Sequence, residues 1–233
     1  MTVTASTPQT TTRRPDGPPA GLLAAVSLGL TVVGLVVSAL LAGGQVTVSP
    51  LGSTAEVARY YLDHRTAAAV SGFFVFGSGV PLGIYAATVY ARLLKLGVRV
   101  PGPGIGYFGG IGASVLVGIA GLVGWVLGQP VAGQSPALIH TLAYVTYALG
   151  GVGFVGGVGL LIAGIAVPSM VLGLTPRWYA VTGLVLAAVC EVSVVSLLWS
   201  PFSVTLPIGR FLGLAWLIGA GFLLPRNRHQ VAG

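Results

Sequence analysis

The sequence predicts an all-α fold: a polytopic membrane protein of six transmembrane helices, both termini inside, with a short amphipathic helix on the outer surface. Three observations predict it. Of 233 residues, 55% are hydrophobic and only 6% charged, whereas a soluble domain carries about 25% charged residues. Six apolar runs are each about long enough to cross a bilayer. The charged residues collect between those runs. Nearly the whole chain is used in spans, which leaves no room for a second, soluble domain.

Residues 1–19 are rich in Thr, Pro and Ser and have no apolar face, so they read as a disordered cytoplasmic tail. Residues 20–225 form the membrane domain, and residues 226–233 a cytoplasmic C-terminal tail. The first span is Ala20 to Ala42, longer than the 7–15 residues of a signal-peptide core. Ser53 and Glu56 have the spacing of a capping box. Val57, Tyr60, Tyr61 and His64 follow at i, i+3, i+4 and i+7, one face of a helix. This is the expected outer surface helix.

The second span, about Ala67 to Leu94, holds Pro81, which removes one helical hydrogen bond and predicts a kink. Pro101-Gly102-Pro103-Gly104 reads as a stiff turn before a third span from about Ile105 to Leu127. Gly106, Gly110, Ser114 and Gly118 recur every four residues there, a flat strip for close helix approach. The fourth span is about Ala137 to Val167, glycine-dense from Gly150 to Gly159. The fifth is Trp178 to Ser200 and the sixth about Pro207 to Leu224.

Orientation follows the basic residues. With the N-terminus inside, Arg13, Arg14, Arg92, Lys95, Arg99, Arg177, Arg226 and Arg228 are cytoplasmic. Arg59, Arg65 and Arg210 fall toward the outside, a clear positive-inside bias. The net charge of +7 therefore points to orientation and to contact with the lipid bilayer. A nucleic-acid partner is not expected, because the cations lie between apolar runs rather than on one face. Cys190 is the single cysteine, so no disulfide and no zinc spacing is available.

Two motifs invite chemistry. Gly151 to Gly156 matches G-x-G-x-x-G, but it lies within a span with no strand before it. Close helix packing explains it better. The second is Glu191, the one acidic residue inside a long apolar run. At a helix centre such a charge costs about 2.5–3.5 kcal/mol by insertion scales, so it is expected to face the interior and have a partner. At 1.5 Å per residue it lies roughly 13 Å below Ser200. His140, Tyr144 and Tyr147 share one face of the fourth span, and Arg210 begins the sixth. These five predict a buried polar cluster lining an outward cavity, with Asp63, His64 and Arg65 at its outer rim. A sealed Glu191–Arg210 pair that only fixes register is the structural alternative. No metal or cofactor is expected.

The runs AAVSGFFVFGSGVPLGIYAATVYARLLKLGVRVPG, LTPRWYAVTGLVLAAVCEVS and GRFLGLAWLIGAGFLLPR resemble a family of uncharacterised six-helix membrane proteins of high-GC Gram-positive, actinobacterial, bacteria. The resemblance covers most of residues 50–225. It implies a plasma-membrane location and six spans, and it brings no activity or catalytic residue. The first expectation is therefore a non-catalytic protein that binds lipid, a membrane-protein partner or another copy of itself. The alternatives are a small proton- or cation-coupled transporter using Glu191, and an embedded lipid or quinone enzyme with His140 and Glu191 as acid and base.

Overall fold

Each long apolar run is helical in the computed structural model, which describes residues 17–225; among the described residues there is no strand. Helix α1 is Ala20–Leu41, α2 Thr54–Asp63, α3 Arg65–Lys95 and α4 Pro101–Leu127. Helix α5, Pro136–Tyr147, continues through a π-helical turn at Ala148–Gly153 into α6, Phe154–Leu172. Helix α7 is Arg177–Val192 and α8 is Thr205–Leu223. Six rods among the described residues are long and apolar enough to cross a membrane: α1, α3, α4, the joined α5–α6, α7 with its extension to Leu197, and α8. The tail residues 1–16 and 226–233 lie outside the described residues.

Three boundaries differ from the sequence expectation. Pro101 to Gly104 is the first turn of α4, not a loop. The first turn of a helix has no intrahelical partners for its N–H groups, so Pro101 and Pro103 lose nothing there and their fixed φ favours the start. The glycine-dense stretch is not plain α-helix, because Ala148–Gly153 widens into a π turn. The fifth span narrows after Val192 into a 3-10 segment, Ser193–Leu197. There the Ser193 hydroxyl donates to the Cys190 carbonyl at 2.5 Å.

Helix α4 packs against both α3 and α6, α1 against α3 and α8, and α7 against α6 and α8. The closest crossings are backbone on backbone. Gly121 of α4 lies on the main chain of Gly72 and Phe76, and Gly164 of α6 on that of Gly102 and Gly106. Gly221 of α8 lies on Ala20 and Gly21. In lipid, helices gain little hydrophobic energy from each other, so close dispersion contact and interhelical hydrogen bonds hold them. The hydrogen bonds go mainly from side chains to carbonyls. Ser27 donates to Ser78 O and Ser114 to Gly79 O, both at 2.8 Å. Tyr85 donates to Leu217 O and Arg92 to Gly221 O, both at 2.9 Å.

The predicted strip of small residues on α4 serves two neighbours rather than one. Gly106 meets α6, whereas Ser114 bonds α3. The tightest positions, Gly109 against Gly157 and Gly121 against Gly72, lie off the strip. Helix α3 runs unbroken through Pro81. Gly97 and Gly173 each follow a helix end with positive φ, 88° and 64°, where an L side chain is strained.

Candidate functional site

The polar residues singled out in the sequence do not form one cluster. Glu191 sits one residue before the end of α7, on its exposed side. Its carboxylate lies over α6 beside Gly159, close enough that a Cβ there would meet Oε1 at 2.8 Å. Among the described residues Glu191 makes no hydrogen bond and no ion pair. The interior position expected for it is therefore corrected. The physical reason is local: Gly159 has no side chain, so the glutamate lies across α6 instead of entering the bundle. The inward face of α7 at this level is held by Cys190, fully buried and packed near Gly159 and Gly209.

Arg210 of α8 is engaged elsewhere than with Glu191. Its guanidinium donates to the carbonyl of Gly150 and lies 4.7 Å from the centroid of the Phe154 ring. The π turn explains this choice. A π-helical segment shifts the hydrogen-bond ladder by one residue, and here the cation caps a carbonyl within that segment. The neighbouring aromatic face supplies a second, cation–π contact.

His140 belongs to the junction with the connection before α2 rather than to a cavity. One ring nitrogen, Nε2, is 2.8 Å from Pro50 O, and the other, Nδ1, is 2.7 Å from Thr54 Oγ1. A carbonyl only accepts, so Nε2 carries a proton. His140 thus ties α5 to the chain entering α2. Tyr144 stacks beside it, ring centroids 5.0 Å apart and tilted 35°, as their i, i+4 spacing implies.

Tyr147 has a buried hydroxyl without a partner, as does Ser196. Both residues border a cavity of about 360 Å³, together with Leu51, Thr141, Tyr144 and Leu197. Of the expected cluster, this cavity keeps Tyr144 and Tyr147. Glu191, Arg210 and His140 do not line it.

The expected rim, Asp63, His64 and Arg65, is a helix corner. His64 ends α2 and precedes α3 with φ −121° and ψ 42°, values that break the helical path. Its ring lies 5.1 Å from that of Tyr60. Helix α2 begins with the Ser53 hydroxyl accepting from Glu56 N at 3.3 Å, one half of the capping box. It buries Val57, Ala58, Tyr60 and Tyr61.

Burial, with Tyr60 adding to it, pushes the Tyr61 phenol from 10.0 up to about 12. The folded state therefore holds this proton more tightly than the unfolded chain does. That contribution to stability is complete below pH 10 and is lost as pH climbs toward 12. A tyrosinate absorbance titration is expected to show one phenol ionising well above the exposed ones, together with loosening of α2. The Tyr61→Phe variant is expected to lack that late phase; if the phase persists, it belongs to another residue.

Sequence reasoning missed the clasp between α7 and α8. Tyr179 and Trp216 stack at 5.1 Å and 15°. The Tyr179 hydroxyl donates to Trp216 O, and the indole N–H donates to Tyr179 O at 3.0 Å. The available signal was a pair of glycines, Gly183 and Gly219, whose missing Cβ atoms make room for the two rings.

Fold and contacts together define an α-helical protein with, among the described residues, six helices long and apolar enough to cross a membrane. No protein-family model matches the chain, and no curated protein or solved structure shows significant similarity to it.

Proposed function

We propose that the chain is a multi-pass plasma-membrane protein, both termini cytoplasmic and α2 on the outer surface, that binds partner proteins, lipid or another copy of itself and catalyses no reaction. One observation carries this reading: Glu191 is exposed and unpartnered on a helix suited to span the membrane. A carboxyl at that depth is costly to leave against hydrocarbon, so its partner comes from outside the chain. Val185, Ala188, Val192 and Val195 are exposed with it, which makes an apolar strip with one polar point.

No observation favours the other two readings. A carrier needs polar groups along a path, and beyond the unpartnered hydroxyls of Tyr147 and Ser196 at one cavity, those of Ser27, Tyr85, Ser114 and Tyr179 are engaged with neighbouring carbonyls. An acid–base pair needs both groups within reach of one reacting atom. Both nitrogens of His140 are already engaged in the outer loop.

The test is a photo-crosslinking residue at Ala188, activated in intact membranes. A reproducible protein or lipid adduct is expected, and Glu191→Leu is expected to reduce it several-fold. Absence of any reproducible adduct would count against lateral binding through this face.

A further inference from the structure

The turn between α3 and α4 carries a second cavity, of about 430 Å³, bordered by Tyr90, Leu94, Arg99, Val100, Pro101 and Pro103. Its size falls within the range of about 300–1,000 Å³ typical of small-molecule sites. One wall is apolar, from Leu94, Val100 and the two prolines. Another is aromatic: Tyr90 stacks on Tyr107 at 4.9 Å and 26°, and tyrosines of this kind sit at headgroup level in a bilayer. Arg99 supplies the charge. It is exposed, and among the described residues it makes no hydrogen bond or ion pair.

The balance of charge decides what fits. The described acidic residues are Glu56, Asp63 and Glu191. Glu56 and Asp63 lie on α2, beyond the far end of α3, a helix of 31 residues and so roughly 46 Å long. Glu191 is fourteen residues along α7 from Arg177, which is about 21 Å from that end of the bundle. None of these carboxylates is near enough to neutralise Arg99. A guanidinium beside an apolar wall at headgroup depth matches one molecule already present in a membrane, a phospholipid whose phosphate it grips and whose chain it leaves along the wall.

We propose that this cavity is a binding site for an anionic phospholipid of the leaflet at the α3–α4 turn. The phosphate meets Arg99, the glycerol region meets the Tyr90–Tyr107 stack, and an acyl chain follows Leu94 and Val100. This rests on the reading of the chain as a non-catalytic binding protein and names one ligand class for it. The site is built on α3 and α4 rather than on α7, so failure of one test leaves the other standing.

The experiment uses the full chain in nanodiscs of phosphatidylglycerol and phosphatidylcholine, with retained lipid counted by native mass spectrometry. Wild type is expected to retain phosphatidylglycerol preferentially. Arg99→Gln is expected to lower that preference about five-fold, the effect of one basic residue at an anionic surface. Arg177→Gln removes an exposed arginine outside the cavity and is expected to leave the preference in place. An unchanged preference in Arg99→Gln overturns the proposal. So does an equal loss in Arg177→Gln, which would mean diffuse attraction to a basic collar. Displacement of the lipid by inorganic phosphate would also overturn it, because the site would then recognise the anion without the chain.

Discussion

Gly121→Ala is expected to destabilise the protein by about 3 kcal/mol, the upper end of the usual cost of overpacking. The new methyl would be built against backbone atoms of α3, with Gly72 O and Phe76 Cα both at 2.7 Å. No rotamer change relieves a clash with main chain. The α3–α4 crossing would have to open, which would also stretch the Ser114 to Gly79 bond. Gly112→Ala, nine residues earlier on α4, is the control. Nothing lies within 4 Å of its Cβ, and alanine is a better helix former than glycine by up to about 1 kcal/mol. The two substitutions should therefore shift stability in opposite directions. Equal effects in a detergent unfolding titration would mean that α3 and α4 are not in backbone contact.

Trp216→Ala is expected to cost about 3–5 kcal/mol, the range for emptying a buried aromatic site. The indole is 6% exposed. It stacks on Tyr179, donates to its carbonyl, and lies against Gly183, whose Cβ would overlap it. Removal leaves a void between α7 and α8 and takes one donor from the Tyr179 carbonyl, which keeps the Thr182 hydroxyl at 2.8 Å. Trp178→Ala is the matched control on the adjacent position. Trp178 is 67% exposed and touches Tyr179 only edge-on, at 5.5 Å, so its loss should cost about 1 kcal/mol or less. If the two tryptophans prove equivalent by thermal unfolding, the clasp does not hold α7 to α8.

The candidate site was only partly legible. Spacing along one helix predicted correctly that His140 and Tyr144 are neighbours, because i, i+4 geometry is local. It misjudged what His140 faces, since Pro50 and Thr54 reach it from a connection ninety and eighty-six residues away in sequence. For Arg210 it offered Glu191 as a partner by charge alone. The nearer acceptor was a carbonyl of the π turn, and nothing in the glycine run specified that turn over plain α-helix. Glu191 shows the same limit. Its direction depended on Gly159 of a different helix leaving space above it.

By itself the sequence determined the all-helical class and the six apolar rods of the described residues. These follow from composition, run length and local periodicity, which act through neighbours within a turn or two. Only the tertiary structure decided which glycines touch, which carbonyls receive the buried hydroxyls and arginines, and which way the lone acid on α7 points. In a membrane all helix surfaces are similarly apolar, so burial pattern says little about partners. Pairing is settled by sub-ångström backbone fit and by interhelical hydrogen bonds, and neither exists until the helices are packed together.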